Sequence, residues 1–169
     1  MIELVEQMLE CSRAQRFHIA LVAALALPDI CSALESSDGQ ATGVKYKAWV
    51  DKWLSPKYGD ATGTSLSGET CYYYRCAVLH QNRSLHPKLR FDRVAFLEPN
   101  VSITMHDCVI NNVLVVDIPT FCQDMADAVS EWIRLAEITA DYKVNIRNSM
   151  QRFPSELVGV AMPGLFVYA

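Results

Sequence analysis

No apolar run in the sequence is long enough to cross a bilayer. The most apolar stretch, Ile19 to Leu27, falls well short of the roughly 20 residues a spanning helix needs. Seven glycines and seven prolines in 169 residues exclude collagen-like and low-complexity classes. There is no basic excess: Lys+Arg 15 against Asp+Glu 19 gives a net charge of −4, which excludes a general nucleic-acid coat. Histidine is scarce, with only His18, His80, His86 and His106, and no two stand at i, i+4. No zinc-protease, P-loop, dinucleotide-binding or serine-hydrolase signature occurs. The six cysteines include no CxxC pair, and the spacing of Cys71 and Cys76 does not suit a zinc knuckle. The expectation is therefore reduced, mostly buried thiols, with no metal and no cofactor. Glu3 and Glu6 stand where a secretory leader carries Lys or Arg, so the sequence predicts a cytoplasmic protein with no membrane segment.

What is present is a chain 51% hydrophobic, long enough for one domain with an ample core. Helical spacing predicts helices over 1–15, 17–35 (bent or restarted at Pro28) and 43–54, and Ser67 reads as the N-cap of a helix running to His80. The character then changes. Residues 93–97, the alternating 101–106 and the apolar 113–116 read as strands of a small antiparallel meander over about 91–116. Helical spacing returns over 119–138 and continues through 139–152. The apolar tail, 157–169, is placed as a docked strand or an interface segment. The predicted class is mainly α, within α+β: a helical core of 1–90 and 117–152 in one domain, with the meander inserted.

His18 reads as a core or boundary residue of an apolar helix, and His106 as a solvated strand residue. His80 differs because Arg75 precedes it by five residues near the end of a helix. That offset sets the two Cα positions about 140° apart around the axis, but arginine is long enough to bring its guanidinium to the imidazole. A guanidinium that holds a phosphate beside an imidazole that moves protons is a minimal kit for phosphodiester cleavage. A helix C-terminus also favours the imidazolium form. Residues 82–93 carry Arg83, Lys88, Arg90 and Arg93 against Asp92 alone, a local basic strip that can steer RNA. Tyr72, Tyr73 and Tyr74 offer rings for stacking, at least one of which belongs to the core.

An arginine followed by a histidine late in a helix of a small α bundle resembles the motif of the HEPN superfamily. The string from Gly68 to Gln81 looks like bacterial HEPN-like proteins. The resemblance covers residues 1–90 and its motif is short. It implies a homodimer in which the motif helices meet and build a metal-independent ribonuclease site. It also implies single-stranded RNA as substrate, an antitoxin or other protein as partner, and a toxin or defence role. Arg75 would contact the scissile phosphate, His80 would act as acid and base, and Arg83, Lys88 and Arg90 would bind RNA. Active members often carry Asn, Asp or His directly after the arginine; this chain departs from them with Cys76.

The residues also support a non-catalytic binding module. In that reading Arg75 pairs with an acid, Asp29 or Asp51 first and Glu69 next, and His80 caps the carbonyls at its helix end. A melting curve of Arg75→Ala separates the two readings if only the second locks the arginine in an ion pair.

Overall fold

The computed structural model describes residues 1–59, 66–83, 86–88, 90–99, 104–154 and 166–168. Four helices open the chain: α1 (Ile2–Arg13), α2 (Phe17–Leu34), α3 (Gly43–Trp53) and, after a short 3-10 turn at Ser55–Lys57, α4 (Gly68–Gln81). Strands β1 (Arg93–Leu97), β2 (Cys108–Ile110) and β3 (Val113–Asp117) follow, then α5 (Ile118–Ala136) and α6 (Ala140–Asn145). A 3-10 turn at Ile146–Asn148 leads to β4 (Arg152–Pro154), which pairs antiparallel with β5 (Phe166–Tyr168).

Helix α2 is at the centre. It packs on α1, α3, α4 and α5, and its inward residues Ala20, Ala24, Leu25, Leu27 and Cys31 are fully buried. Among the described residues it is the one helix long and apolar enough to cross a membrane. It is longer than the apolar run that marks it, and its packing is that of a core helix. Pro28 neither ends nor restarts it: the helix runs unbroken through the proline. The carbonyl of Leu25, in the turn before the proline, accepts from the buried Tyr46 hydroxyl at 3.1 Å. The same hydroxyl lies 3.3 Å from Sγ of Cys71, so one phenol joins α2, α3 and α4.

Helix starts follow their caps. Thr42, Ser67, Asp117 and Thr139 each accept the N–H three residues on, at the heads of α3, α4, α5 and α6. Helix α4 ends at Asn82, which takes the left-handed conformation (φ 49°, ψ 44°). The N–H of Arg83 then returns to the Ala77 carbonyl at 3.0 Å. The carbonyls of Ala77 and Val78 are thus met by backbone N–H groups, and the contact made by the His80 ring is with Arg75.

The small sheet is not an antiparallel meander. Its order is β1-β3-β2, with β1 parallel to β3 and only β2 antiparallel. The hairpin is β2–β3, turned by Asn111 and Asn112, both at positive φ (49° and 61°), as a two-residue loop of primed type requires. Of the strand expected over 101–106, residues 101–103 lie outside the described residues, and 104–106 are not strand. The strand that pairs with β3 begins at Cys108, so β1 and β3 meet side by side rather than through a hairpin. Leu114 and Val116 of β3 enter the core against α5. Helix likewise stops earlier than expected after residue 139, and Arg152–Pro154 form a strand. Of the tail, 157–165 and 169 lie outside the described residues.

Candidate functional site

The site is built on the last turns of α4. Arg75 leaves the helix toward α2, and its Nε and Nη2 donate to one oxygen of Asp29, Oδ2, at 2.8 and 2.6 Å. Both side chains keep only about a fifth of their exposure, 19% and 21%. Burial works against the guanidinium charge, but the Asp29 carboxylate and the hydrogen bonds outweigh it and hold Arg75 above its ordinary value. The third nitrogen, Nη1, lies 2.7 Å from Nε2 of His80.

That contact fixes the protonation pattern of the ring. An arginine N–H has no lone pair, so Nε2 must be the acceptor and the imidazole carries its proton on Nδ1. His80 is exposed. Arg75 thus joins a carboxylate on α2 to an open imidazole at the end of α4, and the Cys76 thiol is a further hydrogen-bond partner.

Of the other acids expected near Arg75, neither reaches it. Oδ1 of Asp51 accepts the Gly68 N–H at 2.6 Å and stands 3.5 Å from the Ser55 hydroxyl, so it secures the head of α4. Glu69 is exposed and lies 3.5 Å from Lys47. Gly68 was not singled out in the sequence, yet a Cβ there would stand 2.2 Å from the Lys47 carbonyl oxygen. The glycine lets α4 approach α3. Cys76 is half-buried between Tyr72 and Arg75, and contact with its thiol pushes the Tyr72 phenol above its ordinary value. Burial pushes the thiols of Cys71 and Cys122 up to about 12, which removes them from thiolate chemistry at neutral pH.

The tyrosine triplet divides as helical geometry requires. Tyr74 is buried against Phe96, their centroids 4.8 Å apart, while Tyr72 and Tyr73 stay half-exposed. His86 stacks on Tyr73 at 4.7 Å and 11°. Of the basic strip, Lys88 stands 5.7 Å from the Tyr73 ring, Arg90 stands 5.5 Å from Phe91, and Arg83 is exposed just past the helix end.

The remaining two histidines differ from expectation. His18 is exposed, at neither a core nor a boundary position. His106 is half-buried rather than solvated: its Nδ1 accepts from the Asp117 N–H at 3.3 Å and its Nε2 lies 3.5 Å from Asp124. Asp124 also accepts from the Tyr58 hydroxyl at 3.0 Å. This cluster ties the loop before β2 to α5. The signal for it, a histidine two residues before a cysteine strand, is too weak to read from sequence.

No family model matches the chain, and no curated protein or solved structure matches it. Among the described residues no group of three or more His, Cys, Asp or Glu is placed to hold a metal.

Proposed function

We propose that this chain is a HEPN-like ribonuclease that cleaves RNA without a metal, in a toxin or defence role. The observation that carries the reading is the exposed His80 imidazole held at 2.7 Å from a guanidinium that Asp29 keeps charged and oriented. A phosphate arriving at Arg75 competes for the N–H that His80 accepts. The lone pair on Nε2 is then released beside the phosphodiester. It takes the proton of the 2′-hydroxyl, whose oxygen attacks phosphorus. The bond to the 5′-oxygen breaks, and a second histidine gives that oxygen its proton. The products are a 2′,3′-cyclic phosphate and a 5′-hydroxyl. The second histidine is His80 of another copy, with the two motif helices facing each other in a homodimer.

The test is cleavage of single-stranded RNA in EDTA. The reading expects cyclic-phosphate ends and no cleavage where a single 2′-hydroxyl has been replaced by hydrogen. Cleavage at the 2′-deoxy position contradicts it.

A second reading is favoured by the Asp29–Arg75 pair itself: a non-catalytic dimerisation or binding module in which the arginine is structural. Because Asp29 clamps Arg75 in either case, melting of Arg75→Ala does not separate the two readings. Cleavage does.

A further inference from the structure

Tyr73 and His80 are seven residues apart on α4, which places them about 20° apart around the axis and roughly 10 Å apart along it. They therefore share a face. The ring of Tyr73 carries an unusual set of neighbours. His86 lies parallel to it, 4.7 Å away. Nζ of Lys47 lies 4.6 Å from its centroid, and that of Lys88 5.7 Å. His86 is not loosely placed: its Nδ1 accepts the Lys88 N–H at 3.2 Å, which holds the imidazole in the stacking plane and leaves its Nε2 as the donor edge.

We infer that the Tyr73–His86 stack, flanked by Lys47 and Lys88, is a subsite for single-stranded nucleic acid, binding a nucleotide next to the one whose phosphate meets Arg75. A base continues the stack on the outer face of His86. Lys88, which forms no ion pair with an acid among the described residues, takes the adjoining phosphate. Lys47 is tied to Glu69 at 3.5 Å and serves the platform rather than the phosphate. Two observations select this ligand class. A parallel, half-exposed heteroaromatic pair on the His80 face of α4 is a surface every base can extend, whereas a paired duplex presents no free base face. The cations around it supply local positive charge on a chain whose total is −4. The inference rests on the nuclease reading, whose substrate it describes, but it is measured by binding and not by cleavage.

The experiment is fluorescence anisotropy with a labelled single-stranded RNA of mixed sequence, on the full chain carrying His80→Ala so that substrate stays intact. The same strand as DNA and as an RNA duplex serve as comparisons. His86→Ala is expected to weaken binding about tenfold, the loss of one stacked base, and Tyr73→Ala, which removes the plane His86 rests on, to weaken it in the same direction. Tyr73→Trp and His86→Phe keep a stacking plane and retain affinity, while His86→Ala does not. Lys88→Ala lowers the slope of log K against log salt by about 0.7, one phosphate contact on a single strand. Single-stranded DNA binds as the RNA does, since the stack reads bases and not the sugar. Unchanged affinity in Tyr73→Ala and His86→Ala, equal binding of the duplex, or no binding by any form overturns the subsite. Tyr73-dependent binding without cleavage by the unmodified chain keeps the subsite and removes the nuclease. Cleavage with binding indifferent to Tyr73 does the reverse.

Discussion

Nη1 of Arg75 sits 2.7 Å from Nε2 of His80, while Nε and Nη2 of the same guanidinium hold Oδ2 of Asp29. One side chain therefore ties the core helix α2 to the exposed end of α4. The charge that would serve a phosphate is partly committed to the fold, and the imidazole is held by a donor that a phosphate can draw away. Stability and the proposed chemistry depend on the same residue through different nitrogens, so they separate only when His80 and Arg75 are changed independently.

Replacing Arg75 by Ala leaves the Asp29 carboxylate largely enclosed with no counter-charge. The expected loss is about 2–3 kcal/mol, below that of a fully buried pair because both side chains retain some solvent. Urea unfolding measures it. Adding Asp29→Asn to Arg75→Ala should recover part of the loss, since the stranded charge is gone. A double variant less stable than Arg75→Ala alone contradicts the pairing.

At Gly68, α4 lies directly against the backbone of α3. A methyl there meets the Lys47 carbonyl oxygen at 2.2 Å and Cγ of Asp51 at 2.9 Å, and backbone cannot step aside as a flexible side chain would. Gly68→Ala should cost roughly 2–4 kcal/mol by parting the helices and breaking the Asp51 contact at the head of α4. Thermal melting reads it directly, and a variant within about 0.5 kcal/mol of the parent contradicts the close approach.

Acid should loosen the sheet end through Asp124. Burial pushes its carboxyl up, but hydrogen bonds from His106 and Tyr58 and the charge of Lys57 outweigh burial and hold it below the ordinary carboxylate value. A depressed folded value means that its contribution is complete above the unfolded value of about 4 and is lost as pH falls through the folded one. Asp124→Asn should therefore flatten part of the stability profile below about pH 4 and leave the shape above it unchanged. Denaturant midpoints across that range check this.

The helices were legible because apolar spacing and capping residues agree. Ser67 marks α4 even though its side chains form no clear apolar stripe, and Pro119 stands in the first turn of α5, whose cap Asp117 comes from the structure. Proline in α2 allows a bend or a restart by local propensity, and in the long buried helix the chain runs on without a restart. The sheet misleads. Alternation at 101–106 suggests a strand, while the pair Asn111-Asn112 between Cys108–Ile110 and Val113–Asp117 carries the hairpin signal. Parallel pairing of β1 with β3 has no local mark at all. At the site, the reach of Arg75 toward His80 follows from their spacing, but its acid does not. Asp29 is 46 residues away in sequence, and Asp51 stands level with it, with Glu69 next, until the packing of α2 on α4 is known.

The most direct test of the central claim is the rate of RNA cleavage in EDTA by the parent chain and by His80→Ala, with both shown to melt alike. His80 is exposed and packs against little, so its removal should leave the melting temperature within a degree or two and abolish cleavage. Cleavage that persists in His80→Ala contradicts the account, as does a parent chain that leaves single-stranded RNA intact.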